Sequence, residues 1–63
     1  MEREKFIIEF TTYTTEGKIK VTDRFNNAFT LYKSYIKPQT QYVVLYKVND
    51  NGGDYKLFEF SQI

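Results

Sequence analysis

Few residues in this 63-residue chain can do chemistry. With no histidine and no cysteine, a general base or nucleophile must come from carboxylates, hydroxyls or lysines. Glu9 and Glu59 lie within alternating apolar stretches, which places both on the outer face of a sheet. There, two carboxylates could divide acid and base work if their surroundings pushed their pKa values apart; on a wide sheet such residues are ordinarily solvated face charges. Asp50-Asn51-Gly52-Gly53-Asp54 has the composition of a calcium loop but lacks the spacing and closing glutamate of an EF-hand, and turn chemistry explains it better. No glycine motif for phosphate is present. The expectation is a protein with no catalytic residue, no metal site and no cofactor.

The elements that position these residues are legible from periodicity. Residues 5–14 are rich in aromatic and β-branched types, and Ile19-Lys20-Val21-Thr22 alternates after Thr15-Glu16-Gly17-Lys18, which predicts a β-hairpin. With Glu16-Gly17 as a two-residue loop and Gly17 at positive φ, Thr14 faces Ile19 and Thr12 faces Val21. Phe6, Ile8, Phe10, Ile19 and Val21 then share one face. Phe25, Ala28, Phe29, Tyr32, Tyr35 and Ile36 recur at intervals of three and four, the signature of an amphipathic helix. Thr22 or Asp23 can cap it, Lys37 suits its last turn, and Pro38 ends it. Residues 41–48 form a third strand and 55–60 a fourth across the turn-rich loop 49–54. Pairing Val48 with Tyr55 places Val43, Leu45, Phe58 and Phe60 in the core.

The fold class expected is α+β: a single ββαββ domain over residues 1–63, a four-stranded antiparallel sheet ordered 2-1-3-4 with the helix on one face. Lysine-bearing strands 2 and 4 become the edges, where lysine discourages stray pairing. A parallel contact between strands 2 and 3 is the alternative topology.

That architecture leaves the other sheet face bare, with Ile7, Tyr13, Tyr42, Val44, Tyr46, Val48, Tyr55 and Leu57 on it. A contiguous apolar surface of this kind ordinarily marks a contact, and tyrosine is enriched at interfaces. The alternative is that the rings lie flat on neighbouring strands as cross-strand pairs. Read as an interface, the contact residues are Tyr13, Tyr42, Tyr46, Tyr55 and Leu57, with Lys20 and Lys47 at the rim. The first use is a protein-binding module that also forms a homodimer. The second is nucleic acid, with Tyr13, Tyr42, Tyr46 and Tyr55 stacking bases and Lys18, Lys20, Lys47 and Lys56 meeting phosphates. A third, a β-ribbon reader inserting the Thr11 to Thr22 hairpin into a groove, rests only on Lys18 and Lys20.

Composition bounds these readings. Nine basic and eight acidic residues leave a net charge of +1, too little for the electrostatic footprint of non-specific DNA binding. The apolar runs Phe6-Ile7-Ile8 and Tyr42 to Tyr46 are far shorter than the ~20 residues of a membrane span, and Met1-Glu2-Arg3-Glu4-Lys5 lacks the apolar core of a signal peptide. No membrane partner and a cytoplasmic location are expected. A chain this short buries roughly 60% of its unfolded surface, with no disulfide or zinc to help, so association is a natural source of extra burial.

The hairpin ending in aspartate, the segment Phe25-Asn26-Asn27-Ala28-Phe29, and Val43-Val44-Leu45-Tyr46-Lys47-Val48 before a glycine-containing turn resemble the very small ββαββ proteins of bacteriophages and mobile elements. Such proteins often act as stoichiometric inhibitors of host or defence proteins. The resemblance implies a counter-defence role in the host cytoplasm through an unidentified host protein. It transfers no site residue.

Overall fold

The computed structural model describes residues 3–62; Met1, Glu2 and Ile63 lie outside the described residues. The elements are β1 (Glu4–Thr12), β2 (Glu16–Asp23), α1 (Phe25–Ser34), β3 (Thr40–Val48) and β4 (Asp54–Ser61). The strands form one antiparallel sheet in the order β2-β1-β3-β4, the α+β topology read from the sequence. The two most apolar strands are central, each pairing on both sides.

In the first hairpin β1 and β2 pair with Ile8 opposite Ile19 and Phe10 opposite Gly17, so Thr14 does not face Ile19. Threonine chemistry sets the turn. Thr12 N–H donates to the Thr15 carbonyl at 2.7 Å, and the Thr12 hydroxyl accepts from Thr15 N–H at 3.1 Å and Thr14 N–H at 3.3 Å. These local bonds end β1 early. Gly17 therefore lies inside β2 without a positive φ. Its use is close approach: a Cβ there would meet the Phe10 ring at 3.1 Å. The register differs from expectation by an even number of residues, so every face assignment in this hairpin survives.

Helix α1 is shorter than its apolar periodicity. Tyr35 and Ile36 N–H groups donate to carbonyls three residues back, at 3.2 and 3.1 Å, and this tightened turn ends the helix ahead of Pro38. Lys33, not Lys37, occupies the last turn. Thr22 and Asp23 belong to β2, and Arg24 holds the cap position without a side-chain bond. Asp23 still serves the helix start, accepting from Arg24 N–H at 2.7 Å and the Asn27 amide at 3.0 Å; those two bonds, first the Asn27 one, lower its pKa.

Thr40 anchors the return to β3. It is buried; its hydroxyl donates to the Tyr35 carbonyl at 2.7 Å and accepts from Lys37 N–H at 3.1 Å.

The core consists of Phe6, Ile8, Ala28, Tyr32, Val43 and Leu45, with Phe10, Ile19, Val21, Phe29, Tyr35, Ile36, Leu57 and Phe60 packed against it. The helix backbone lies nearest to β2, β1 and β3, and it meets β4 through the rings of Phe25, Phe29 and Tyr32 against Phe58. Phe58, expected in the core, stands on the helix side but is 42% exposed.

Candidate functional site

One irregularity decides which residues share a surface. Between β3 and β4, Leu45 pairs with Phe58 but Tyr46 pairs with Lys56, leaving Leu57 as the extra residue of a β-bulge. A bulge reverses the alternation beyond it. Lys56 consequently lies on the outer face with Tyr46, whereas Tyr55 lies opposite Lys47. Lys47 in turn lies opposite Phe6 of the core, which puts Tyr55 on the helix side. Leu57 also turns inward and packs against the core. Of the residues expected on one outer face, the structure brings together Tyr42, Tyr46 and Lys20 and separates off Tyr55, Leu57 and Lys47. Tyr13 belongs to neither face; it sits in the Thr12–Thr15 turn, 72% exposed.

The outer face is largely closed by its own side chains. Val44 has no helix over it yet is only 4% exposed, and Tyr42 and Tyr46 beside it on β3 are half-buried. The Tyr46 hydroxyl donates to Glu9 Oε1 at 3.2 Å, and Lys18 Nζ lies 3.9 Å from Glu9 Oε2. Burial, then the Glu9 charge, raises the Tyr46 pKa above its usual value. Glu9 thus accepts a hydrogen bond from Tyr46 and forms an ion pair with Lys18. Lys56 and Glu59 pair at 3.0 Å. Around the rings, Lys5, Lys18, Lys20 and Lys56 are balanced by Glu9, Glu16, Asp54 and Glu59 through the strand registers. Such a face lacks the positive field that phosphates require.

The open apolar surface lies on the other side, at the margin between α1 and β4. Phe25 is 38%, Tyr55 44% and Phe58 42% exposed. Phe25 and Phe58 belong to a chain of rings: Phe58 lies 4.8 Å from Phe29 and 6.2 Å from Phe25 between centroids, and Phe25 lies 6.3 Å from Phe6. Aromatic contacts at these distances hold these two rings in place against the core. Two lysines border the strip. Lys33 Nζ stands 5.4 Å from the Phe29 ring centroid, and Lys47 Nζ pairs with Glu4 Oε2 at 2.8 Å. The bond to Glu4 is the leading cause of a raised Lys47 pKa. Phe25 and Phe58 were absent from the contact residues expected from sequence. Both match the apolar pattern of core residues, so no local signal sets them apart.

Among the described residues no group of three or more metal-binding side chains converges, and no buried side-chain nitrogen or oxygen lacks a hydrogen-bond partner. No described helix is long and apolar enough to cross a membrane. Comparison with known proteins finds no matching family model, no matching curated protein and no matching solved structure.

Proposed function

We propose that this chain is a non-enzymatic protein-binding module that acts by steric occlusion, using the helix-side strip of Phe25, Phe58 and Tyr55 as its contact surface. The observation that carries the reading is the exposure of three large rings in one strip, each 38% or more accessible, in a chain with so little surface. A partner that covers the strip gains apolar burial at little ordering cost, because the Phe25 and Phe58 rings are already held by their neighbours. Tyrosine and lysine at the margin suit an apolar centre with a polar rim. The likeness to small phage-type ββαββ proteins extends the proposal to stoichiometric inhibition of a host protein.

The test is affinity capture from a host extract with three baits: the wild-type chain, Phe58→Ser and Tyr46→Ala. The reading expects a protein retained by the wild type and Tyr46→Ala and lost by Phe58→Ser. Loss by Tyr46→Ala alone would move the contact to the outer face, and capture of nothing by any bait would contradict a protein-binding role. Release by nuclease treatment would favour nucleic acid.

A further inference from the structure

We infer that β4 pairs with β4 of a second copy of this chain, antiparallel about a two-fold axis, in the register that sets Lys56 of each copy opposite Glu59 of the other. The β-bulge at Leu57 shapes this edge. Gln62 N–H donates to the Gln41 carbonyl at 2.9 Å at one end of the β3–β4 ladder, and Asn49 N–H donates to the Gly53 carbonyl at 2.7 Å at the other. Antiparallel ladders alternate between hydrogen-bonded and non-bonded pairs. Stepping inward by twos along the observed register, the bonded pairs are Val43 with Phe60 and Leu45 with Phe58 on one side, and Lys47 with Tyr55 on the other. The backbone groups of Glu59, and across the bulge those of Lys56 and Asp54, therefore point away from β3, along the free edge of the sheet.

In an unbroken strand, outward-pointing residues recur every second position. Here Leu57 stretches the interval between Lys56 and Glu59 to three. A regular strand from another protein can match the edge on one side of the bulge only, which is the usual protective effect of bulges on edges. A second β4 carries the same stretched interval. Reversed against the first, it brings Lys56 onto Glu59 and Glu59 onto Lys56, with Leu57 opposite Phe58 and Tyr55 opposite Phe60, all four on the helix side.

Charge selects the same register. Lys56 and Glu59 are about half exposed and 3.0 Å apart within one chain, so pairing adds the second copy's opposite charges to both. Registers centred on Lys56 or on Glu59 would oppose like charges and mismatch the interval. On the other edge, two-fold registers centred on residues 18 to 20 of β2 oppose lysine to lysine, and the register that sets Lys18 against Glu16 is centred on Gly17, at the very start of the strand, where little of β2 overlaps its copy. The resulting eight-stranded sheet would carry both helices on one face and join the two aromatic strips between them. An edge contact buries less than a standard interface, so a micromolar dimer is expected.

The experiment is sedimentation velocity over a micromolar concentration series for the wild type, K56E, E59K and the double variant K56E/E59K, with circular dichroism confirming that each is folded. The wild type dimerises, and each single variant weakens the dimer about tenfold or more by setting like charges together. An equimolar mixture of K56E and E59K forms a mixed dimer, and the double variant restores self-association. A monomeric wild type, a dimer indifferent to both single variants, or loss without rescue in the mixture would each overturn the inference. Capture of another protein by the Phe58 strip is a separate readout, because K56E keeps that strip intact.

Discussion

Leu45 and Val44 are adjacent, nearly equally inaccessible at 0% and 4% exposed, and face opposite ways, so truncating each to alanine separates two kinds of burial. Leu45 points into the core beneath α1, where rigid neighbours close around it. Leu45→Ala removes a fully buried branched side chain and leaves a cavity that a tightly packed site fills poorly, at about 3 kcal/mol. A chain of 63 residues has roughly 3–9 kcal/mol of total stability. The loss therefore lowers Tm by about 12–24 °C, at 4–8 °C per kcal/mol for a domain of this size. Val44 is covered only by side chains of its own sheet, which can settle into the space vacated. Val44→Ala then costs about 1.5 kcal/mol, near the transfer value of the two methyl-sized groups removed, with little cavity cost added. Urea titration and thermal melts of both variants decide the matter. Equal losses, or a larger loss for Val44→Ala, would refute the reasoning that the outer face closes over itself with movable side chains.

Thr40→Val keeps the shape of a buried residue but leaves the Tyr35 carbonyl and Lys37 N–H without their partner; unfolding titration should show a loss of about 1–3 kcal/mol. Gly52 has φ of +88° with nothing within 4 Å of an added Cβ, so Gly52→Ala pays only the backbone cost of about 1–2 kcal/mol. Burial raises the pKa values of Tyr32 and Tyr46 above 10.0, aided by Glu59 and Glu9 respectively. Since the folded state favours the neutral phenols, their contribution is complete below pH 10 and is lost as the pH rises through the folded values. Denaturant midpoints measured across this range should fall for the wild type and fall less steeply for Tyr46→Phe.

Much of the architecture was legible because period and edge lysines agreed, although the first turn was misplaced at Glu16-Gly17. The alternation in β1 and β2 put Phe6, Ile8 and Val21 on the correct face even though the hairpin closes through threonines, since an even shift leaves faces unchanged. In β4 the same reasoning failed. One extra residue at Leu57 reversed the alternation, and no local feature of Asp54-Tyr55-Lys56-Leu57-Phe58 forces the bulge at that place; it follows from pairing with β3. The tyrosine-rich surface read from sequence consequently divides, with Tyr42 and Tyr46 on one side and Tyr55 on the other. Phe25 and Phe58 match the apolar pattern of core residues, and their exposure reflects the lateral placement of α1, a tertiary property.

The most direct test of the claim that the open surface lies beside the helix is NMR line broadening by a soluble paramagnetic agent, applied to the K56E variant so that association at β4 is suppressed. Strong broadening of the Phe25, Phe58 and Tyr55 ring signals with weak broadening of the Val44 methyls is the predicted result. Protected Phe25 and Phe58 rings with strongly broadened Val44 methyls would contradict the account and return the contact surface to the outer face of the sheet.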